Sequence, residues 1–505
     1  MPNTFLDQTP IRIGSAEEFD AIYLALKAAS FDEQTICRAF DLRDMSEIGT
    51  ITGEAITQAG ISADLRILIR LFFLPAMVPR VELERSFAPK VIDSFLSLGL
   101  LGTGEFGRDD FYARALLYPA AGFLIASDRH SLPDESEFEP PPDLVFPAIF
   151  GGTLQFLRLL PRNWHGAALD LCSGSGVGAF ALSRFGERAV SADVTQRAAD
   201  FAAFNCALNR LENVEVVRGD LYEGVAGRTF GCIVAHPPYV PSLETKAIWR
   251  DGGVTGEALV KRMIEGLPEH LEPGGVFLCL SLGADTNQER FEERVRHWLG
   301  TDADAFDIIF GCKEVRECSL VLDSLARRHT ELGPDVIKKF ESEFERLGVK
   351  QMPFGALSVR RAAGRSARKP LTIRTVINDE TDGSSFDTAW SAFESLAQPD
   401  FLKTLEQAMP RLAPRLEVKV THVVENGSLV PADVLFEVDQ PFVSRVRFES
   451  WMVPLLARLD GKTALATILE QARADGAIPE EFRLENFAVL IAHTLERGFT
   501  LLDRV

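Results

Sequence analysis

Apolar residues recur at helical spacing across three amino-terminal stretches, Ala16 to Phe40, Ala63 to Leu74 and Phe87 to Leu100, which predicts helices, the last ending at Gly99. The pattern then shortens: Gly102, Gly104 and Gly107 precede an apolar run from Phe111 to Ser127 that reads as short strands. A Pro-rich acidic segment, Leu132 to Pro142, reads as a linker. From Phe146 to Arg361 brief apolar runs alternate with helical stretches, the signature of a parallel sheet with crossover helices. The runs are Ala167 to Leu171, Ala189 to Val194, Val214 to Val217, Cys232 to Ala235, Val276 to Leu282, Phe306 to Phe310 and Ala356 to Val359. Before the last of them the charged stretch Pro334 to Leu347 reads as a helix with a solvated face.

Beyond Lys369 the pattern is mixed, with an acidic turn at Asn378 to Ser384, a helix near Phe401 to Met409 and a strand-like Leu416 to Val424. Phe442 to Val505 reads as helix, Asp460-Gly461 turn, helix from Ala464, Pro479 turn, helix Leu484 to Glu496, Gly498 and a terminal strand. Helices followed by a small hairpin at the amino-terminal end, and the order of helices, turns and terminal strand at the other, suggest winged-helix-like modules. The expected division is therefore 1–131 for the first module, 132–145 for the linker, 146–363 for an α/β domain, 364–435 for a mixed connecting region and 436–505 for the last module.

A chain of 505 residues exceeds what one core organises, in keeping with that division. The formal net charge of −20 argues against bulk attraction to nucleic acid while leaving room for a local basic patch, such as Arg360, Arg361, Arg365, Arg368 and Lys369. The most apolar segment, Ile67 to Val78, is short and interrupted by Arg70, and Met1 to Gly14 has neither the basic start nor the apolar run of a signal peptide, so a soluble, cytoplasmic protein is expected. The seven cysteines are scattered, with no Cys-x-x-Cys pair, so neither a structural zinc nor any other metal is expected.

The informative segment is Ala168-Leu-Asp170-Leu-Cys172-Ser-Gly174-Ser-Gly176-Val-Gly178, a short strand that runs through glycines into a helix read from Ala179 to Phe185. Glycines let a ligand approach the backbone, and the turn alone would equally serve NAD or FAD. Three further strand ends sharpen it. Asp193 ends the second strand, where a carboxylate can accept ribose hydroxyls. Asp220 follows Arg218-Gly219 after the third, within reach of an adenine edge, and the fourth ends in Val-Ala-His236-Pro237-Pro238-Tyr239.

In these residues the chain resembles class I methyltransferases of the amine-methylating group that carries Asn-Pro-Pro-Tyr, in particular the HemK/PrmC glutamine methyltransferases. The likeness continues through Arg250-Asp251-Gly252-Gly253, Gly256, Leu259-Val260, Arg262 and Leu271-Glu-Pro273-Gly274-Gly275. The whole chain is also similar to bacterial methyltransferases with a winged-helix-like module before this domain and a PqqD-like one after it. The resemblance implies a seven-stranded Rossmann-like methyltransferase sheet and S-adenosyl-L-methionine as cofactor. Asp170, Cys172, Gly174 and Gly176 would hold its methionine end, Asp193 the ribose, and Asp220 with Leu221 the adenine. His236 would stand between cofactor and acceptor. Pro237 would accept a hydrogen of the target amine through its carbonyl, beside Pro238, and Tyr239 would stack on the planar group.

His236 departs from the family, where Asn stands. Three readings follow: an acceptor or base on an altered substrate, a site that binds with weak turnover, or a benign variant. His165, His270 and His493 stand singly and read as surface or satisfied residues, Cys172 as a small residue in a tight turn, and Glu244 and Asp251 as loop residues beside the substrate or plain solvated charges. A protein or peptide amide of the glutamine type is the favoured acceptor. An exocyclic amine of RNA or DNA, such as adenine, is the second reading, and a binding protein that keeps only cofactor recognition the third. PqqD-like domains bind peptides by strand addition, and the acidic carboxy-terminal module suits peptide recognition or structural support better than DNA. Oligomeric state and any partner subunit stay open.

Overall fold

The apolar runs of the middle third form strands, the central ones buried as parallel strands flanked by helices must be, while Val214–Arg218 at the sheet's edge is only half-buried. They are β1 (Ala168–Leu171), β2 (Ala189–Asp193), β3 (Val214–Arg218), β4 (Phe230–Ala235), β5 (Leu271–Leu282), β6 (Phe306–Glu317) and β7 (Val349–Arg361). This computed structural model describes residues 9–104, 109–328, 333–364, 369–396, 398 and 400–502. Each strand falls on an expected run, although β5, β6 and β7 extend well beyond the apolar cores that announced them.

Among the described residues the sheet has nine strands where seven were expected: seven run in the order β3-β2-β1-β4-β5-β7-β6, Thr372–Val376 adds an edge beside β6, and the short Asp285–Thr286 pairs with β7. Pairing is parallel from β3 through β5, and β7 runs antiparallel to β5, with Cys279 opposite Leu357. The chain thus builds outward from β1 to β3 and then returns to β1's other side at β4. That reversal opens a crevice at the carboxyl ends of β1 and β4, where α/β sheets bind ligands. Register brings the ends level, because Leu171 pairs with both Ala192 and Ala235.

The crossovers include α1 (Gly151–Leu159) before the sheet, α2 (Val177–Leu182) after β1, α3 (Gln196–Leu208) after β2 and α4 (Ala258–His270) before β5. Two more, α5 (Phe291–Trp298) and α6 (Cys318–Arg328), precede α7 (Pro334–Leu347), which begins on proline and stops at left-handed Gly348. Thr195 caps α3 by accepting from the Ala198 N–H. The helix expected at Ala179 to Phe185 is α2, which starts two residues nearer the glycines and ends three residues earlier.

By its contacts the chain divides into two units. One comprises Met1–Leu160, Trp164–Ile308 and Val315–Arg365, and the other Pro161–Asn163, Ile309–Glu314 and Ser366–Val505. In the first, the helical stretch expected over Ala16 to Phe40 is two helices, Ala16–Ala28 and Glu33–Phe40, broken where Ser30 adopts positive φ and Asp32 caps the second. A ribbon of Leu116–Ala120 and Phe123–Ser127 follows, every residue of it buried. The ribbon packs on α2 and α3: Phe123 meets Phe180 edge-on, Arg184 lies over the Phe123 ring at 3.9 Å, and Arg197 makes a bidentate pair with buried Asp128. Gly107, Arg365 and Arg368, singled out above, lie outside the described residues.

In the second unit the strand-like Leu416 to Val424 is Glu417–Glu425, paired with Ser428–Val438 and, beyond it, Ser444–Phe448. A helix was expected from Phe442; the backbone there is the third strand, and the helix begins only at Met452. Leu465–Ala474 and Leu484–Glu496 pack on this sheet through a core of Phe436, Leu455, Ile468, Phe487 and Ile491. Among the described residues no helix is long and apolar enough to cross a membrane.

Candidate functional site

The turn after β1 is built around two carboxylates. Asp170, at the end of β1, is buried and accepts the Ala179 N–H on Oδ2 at 2.9 Å. A Cβ at Gly178 would stand 2.5 Å from that same oxygen, so glycine there is required for the carboxylate to reach the helix. Cys172 has φ +56 and Gly174 φ +53, which bends the chain back over the end of β2. There the Gly174 N–H donates to Asp193 Oδ2 at 3.0 Å, while the Thr195 N–H donates to Oδ1 at 3.1 Å. Open space lies where a Gly174 Cβ would stand.

Burial governs the electrostatics. It pushes Asp170 up to about 8, with neighbouring Asp193 adding to the rise. Asp193 is also raised by burial, against the hydrogen bonds it accepts from Thr195 and Gly174. The Cys172 thiol is raised by burial and by the Asp193 charge, so it is held as a thiol and not as a nucleophile. Asp220 bonds to Arg262 Nη2 at 2.8 Å, and Leu221, buried at φ +53, follows it. The Asp220 partner on α4 was not foreseen.

His236 continues β4 into the crevice. Its Nε2 is enclosed and has no hydrogen-bond partner among the described residues. The ring stacks on Phe156 of α1 at 5.4 Å and 21°, and Tyr239 lies at 5.8 Å and 31° on another side. Gly152 completes the enclosure, since a Cβ there would sit 3.6 Å from both His236 Cε1 and the Tyr239 hydroxyl. Burial lowers the imidazole to about 4, so the ring is neutral at neutral pH. Tyr239 in turn tilts against Phe354 of β7 at 5.4 Å.

The loop that follows is held from inside. Gly252 donates to the Val240 carbonyl and Val240 to that of Arg250, each near 3.0 Å, and a Cβ at Gly256 would collide with the Tyr239 carbonyl. Asp251 is buried and takes the Lys246 and Ala247 N–H groups on one oxygen and Arg250 Nε on the other. Burial tends to raise its carboxyl, but the bonds from Arg250, Ala247 and Lys246 outweigh that and leave it lowered. Asp251 is therefore a bracket within the loop, while Glu244 is exposed beside Lys246. Sequence reading gave no sign of Gly152, Phe156, Glu257 or Arg294; the last two pair at 2.9 Å behind the loop. His165, His270 and His493 lie apart from this crevice in function: His165 meets Glu272, His270 stacks on Tyr222 and His493 meets Glu496.

Residues 149–284 match the family model described as methyltransferase small domain. That region is a methyltransferase domain. It spans α1, the glycine turn, both carboxylates and the His-Pro-Pro-Tyr segment. Among curated proteins, a ribosomal protein uL3 glutamine methyltransferase of Xanthomonas campestris pv. campestris is 34% identical over 171 residues, 32% of this chain and 52% of that protein. A release factor glutamine methyltransferase of Koribacter versatilis is 36% identical over 137 residues, covering 24% and 48%. Among solved structures, Methanocaldococcus jannaschii TYW2 in complex with AdoMet aligns at 14% identity and TM-score 0.28, over 49% of this chain and 86% of that one. The chain spans about half the length of the curated relatives it matches.

Proposed function

We propose that this protein is a cytoplasmic S-adenosyl-L-methionine-dependent methyltransferase that acts on a planar amide nitrogen of a protein or peptide, of the glutamine type. The observation that carries the reading is the level alignment of the glycine turn, Asp170, Asp193 and His236-Pro237-Pro238-Tyr239 at adjoining strand ends. The named relatives are glutamine methyltransferases of two proteins of translation, which supports an amide acceptor.

The crevice fits the cofactor. Open space above Gly174 admits a ligand against the backbone, and the paired carboxylates suit an ammonium and a sugar diol. Asp170, Cys172, Gly174 and Gly176 would hold the methionine end, Asp193 the ribose, and Asp220 with Leu221 the adenine end. When bound, the cofactor supplies a methyl group on an already activated sulfonium.

The chain's own part is to position the acceptor and polarise it. His236 Nε2 is an unmatched acceptor in a closed setting, and a neutral imidazole accepts one N–H. The Pro237 carbonyl accepts the other, Pro238 stiffens the turn, and Tyr239 covers the amide plane. Two acceptors on one nitrogen raise its electron density and fix its lone pair in a single direction, which serves attack in line. Enclosure by Gly152, Phe156 and Tyr239 excludes water that would otherwise compete for Nε2.

Calorimetric titration with S-adenosylhomocysteine tests the cofactor, with Asp193→Ala as the control. Micromolar binding that is lost in the variant supports the reading, and a wild-type protein that takes up no ligand overturns it. Labelled-methyl transfer to glutamine-bearing peptides then tests the acceptor. His236→Ala is expected to abolish transfer and keep ligand affinity within a small factor; unchanged transfer would remove His236 from the reaction.

A further inference from the structure

Asn205 on α3 is fully buried and its amide is satisfied on every side. Its Oδ1 accepts the Ala126 N–H at 2.7 Å, and its Nδ2 donates to the Ala126 carbonyl at 2.9 Å and to the Ser175 carbonyl at 3.0 Å. Ala126 belongs to the amino-terminal ribbon, and Ser175 lies between Gly174 and Gly176 in the glycine turn. One turn of helix further on, Asn209 repeats the pattern on Leu124, with its Oδ1 accepting the N–H at 2.9 Å and its Nδ2 donating to the carbonyl at 2.7 Å. It makes no bond to the glycine turn; its remaining donation goes to the Asn205 carbonyl.

The geometry matches because four residues of helix rise about 6.0 Å while two residues of strand advance about 6.6 Å. Ser175 is itself buried, so without Asn205 its carbonyl would lack this donor in a setting closed to water. Around it the turn is tightly seated: a Cβ at Gly176 would stand 2.6 Å from Phe180 and 3.2 Å from the Ala202 Cβ.

We propose that Asn205 is a positioning residue for the cofactor turn, locking Ser175 to the ribbon strand Phe123–Ser127 so that the amino-terminal segment helps set cofactor affinity. The inference rests on the cofactor reading above. It assigns the ribbon a direct part in the site, through one side chain that reads both.

The test compares full-length wild type, Asn205→Ala, Asn205→Asp and Asn209→Ala by titration with S-adenosylhomocysteine and by thermal unfolding. Both Asn205 variants lose the donor to Ser175, and about tenfold weaker binding or more is expected for each. Asn209→Ala breaks a like pair on the same strand, so its unfolding midpoint should fall comparably while affinity stays within about twofold. Equal affinity losses at both positions would reduce Asn205 to a general support and overturn the proposal, as would unchanged affinity in the Asn205 variants. Hydrogen exchange on the wild type keeps the question answerable if those variants do not fold: ligand should slow exchange of the Ala126 amide together with the turn. Protection confined to the turn would overturn the coupling. A wild type that binds no S-adenosylhomocysteine fails earlier and refutes the cofactor reading instead.

Discussion

The His236 ring stacks on Phe156, 5.4 Å away, and leaves Nε2 without a hydrogen-bond partner among the described residues. An aromatic neighbour supplies no charge to hold a proton, so burial alone takes the imidazole from 6.5 to about 4. The unfolded chain then binds a proton that the folded one refuses between those values. This histidine's contribution to stability is complete above 6.5 and is lost as pH falls toward 4, by roughly 3 kcal/mol in all. His236→Asn should flatten that part of the acid limb in denaturant midpoints measured from pH 7 to 4. Turnover should show no ionisation near 6.5; a clear step there would mean that the ring is hydrated and titrates.

Asp170 carries the opposite sign. Its carboxyl rises from 3.8 to about 8, so the folded ligand-free protein holds a proton at neutral pH. Its stabilising contribution is full below 3.8 and drains away as pH rises through 8. A ligand ammonium seated beside it favours the carboxylate, and S-adenosylhomocysteine, which carries that group on its amino-acid end, should displace about one proton at pH 6.5. Titrations in two buffers of different ionisation heat give that number, and identical heats would contradict it.

Gly178→Ala places a methyl against the Asp170 carboxylate, which must then give up the Ala179 N–H. Overpacking of this kind costs roughly 1–3 kcal/mol. Urea midpoints should show it, with ligand affinity falling as well. A variant as stable and as competent as wild type would show that Asp170 has another rotamer open to it.

Asp251→Asn keeps the size of the bracket and removes its charge. One amide oxygen cannot serve Lys246, Ala247 and Arg250 together, so the loop from Val240 to Gly253 should loosen. The expected result is an acceptor KM raised about tenfold with cofactor affinity unchanged. Equal losses in both would make Asp251 a support of the whole domain.

Legibility followed the range of the interactions. β1 and its glycines could be read because an apolar run ending in Gly-x-Gly is a local pattern, and Pro334 with Gly348 marked both ends of α7. The enclosure of His236 could not be read: Gly152 and Phe156 sit on α1, far off in sequence, and a glycine facing a ring looks like any other glycine. Asn205 was equally silent, since asparagine on a helix ordinarily faces solvent. In the second unit Ser428–Val438 passed unnoticed because Pro431 interrupts it at a shift in register and its first five residues are exposed, which erases the alternation that marks a half-buried strand. The helix expected at Phe442 is a strand for a related reason: Ser444 to Phe448 is too short for its period to be told apart.

Asn205 on α3 and Asn209 at its C-cap also finish an edge. The outward N–H and C=O groups of Leu124 and Ala126 would otherwise offer an apolar ribbon a template for pairing with another molecule. A strand would close that edge by extending the sheet and moving the problem one place outward. A helix ends it, because its remaining faces present no ladder, and the edge at Leu124 and Ala126 is closed by the same two side chains that dock it.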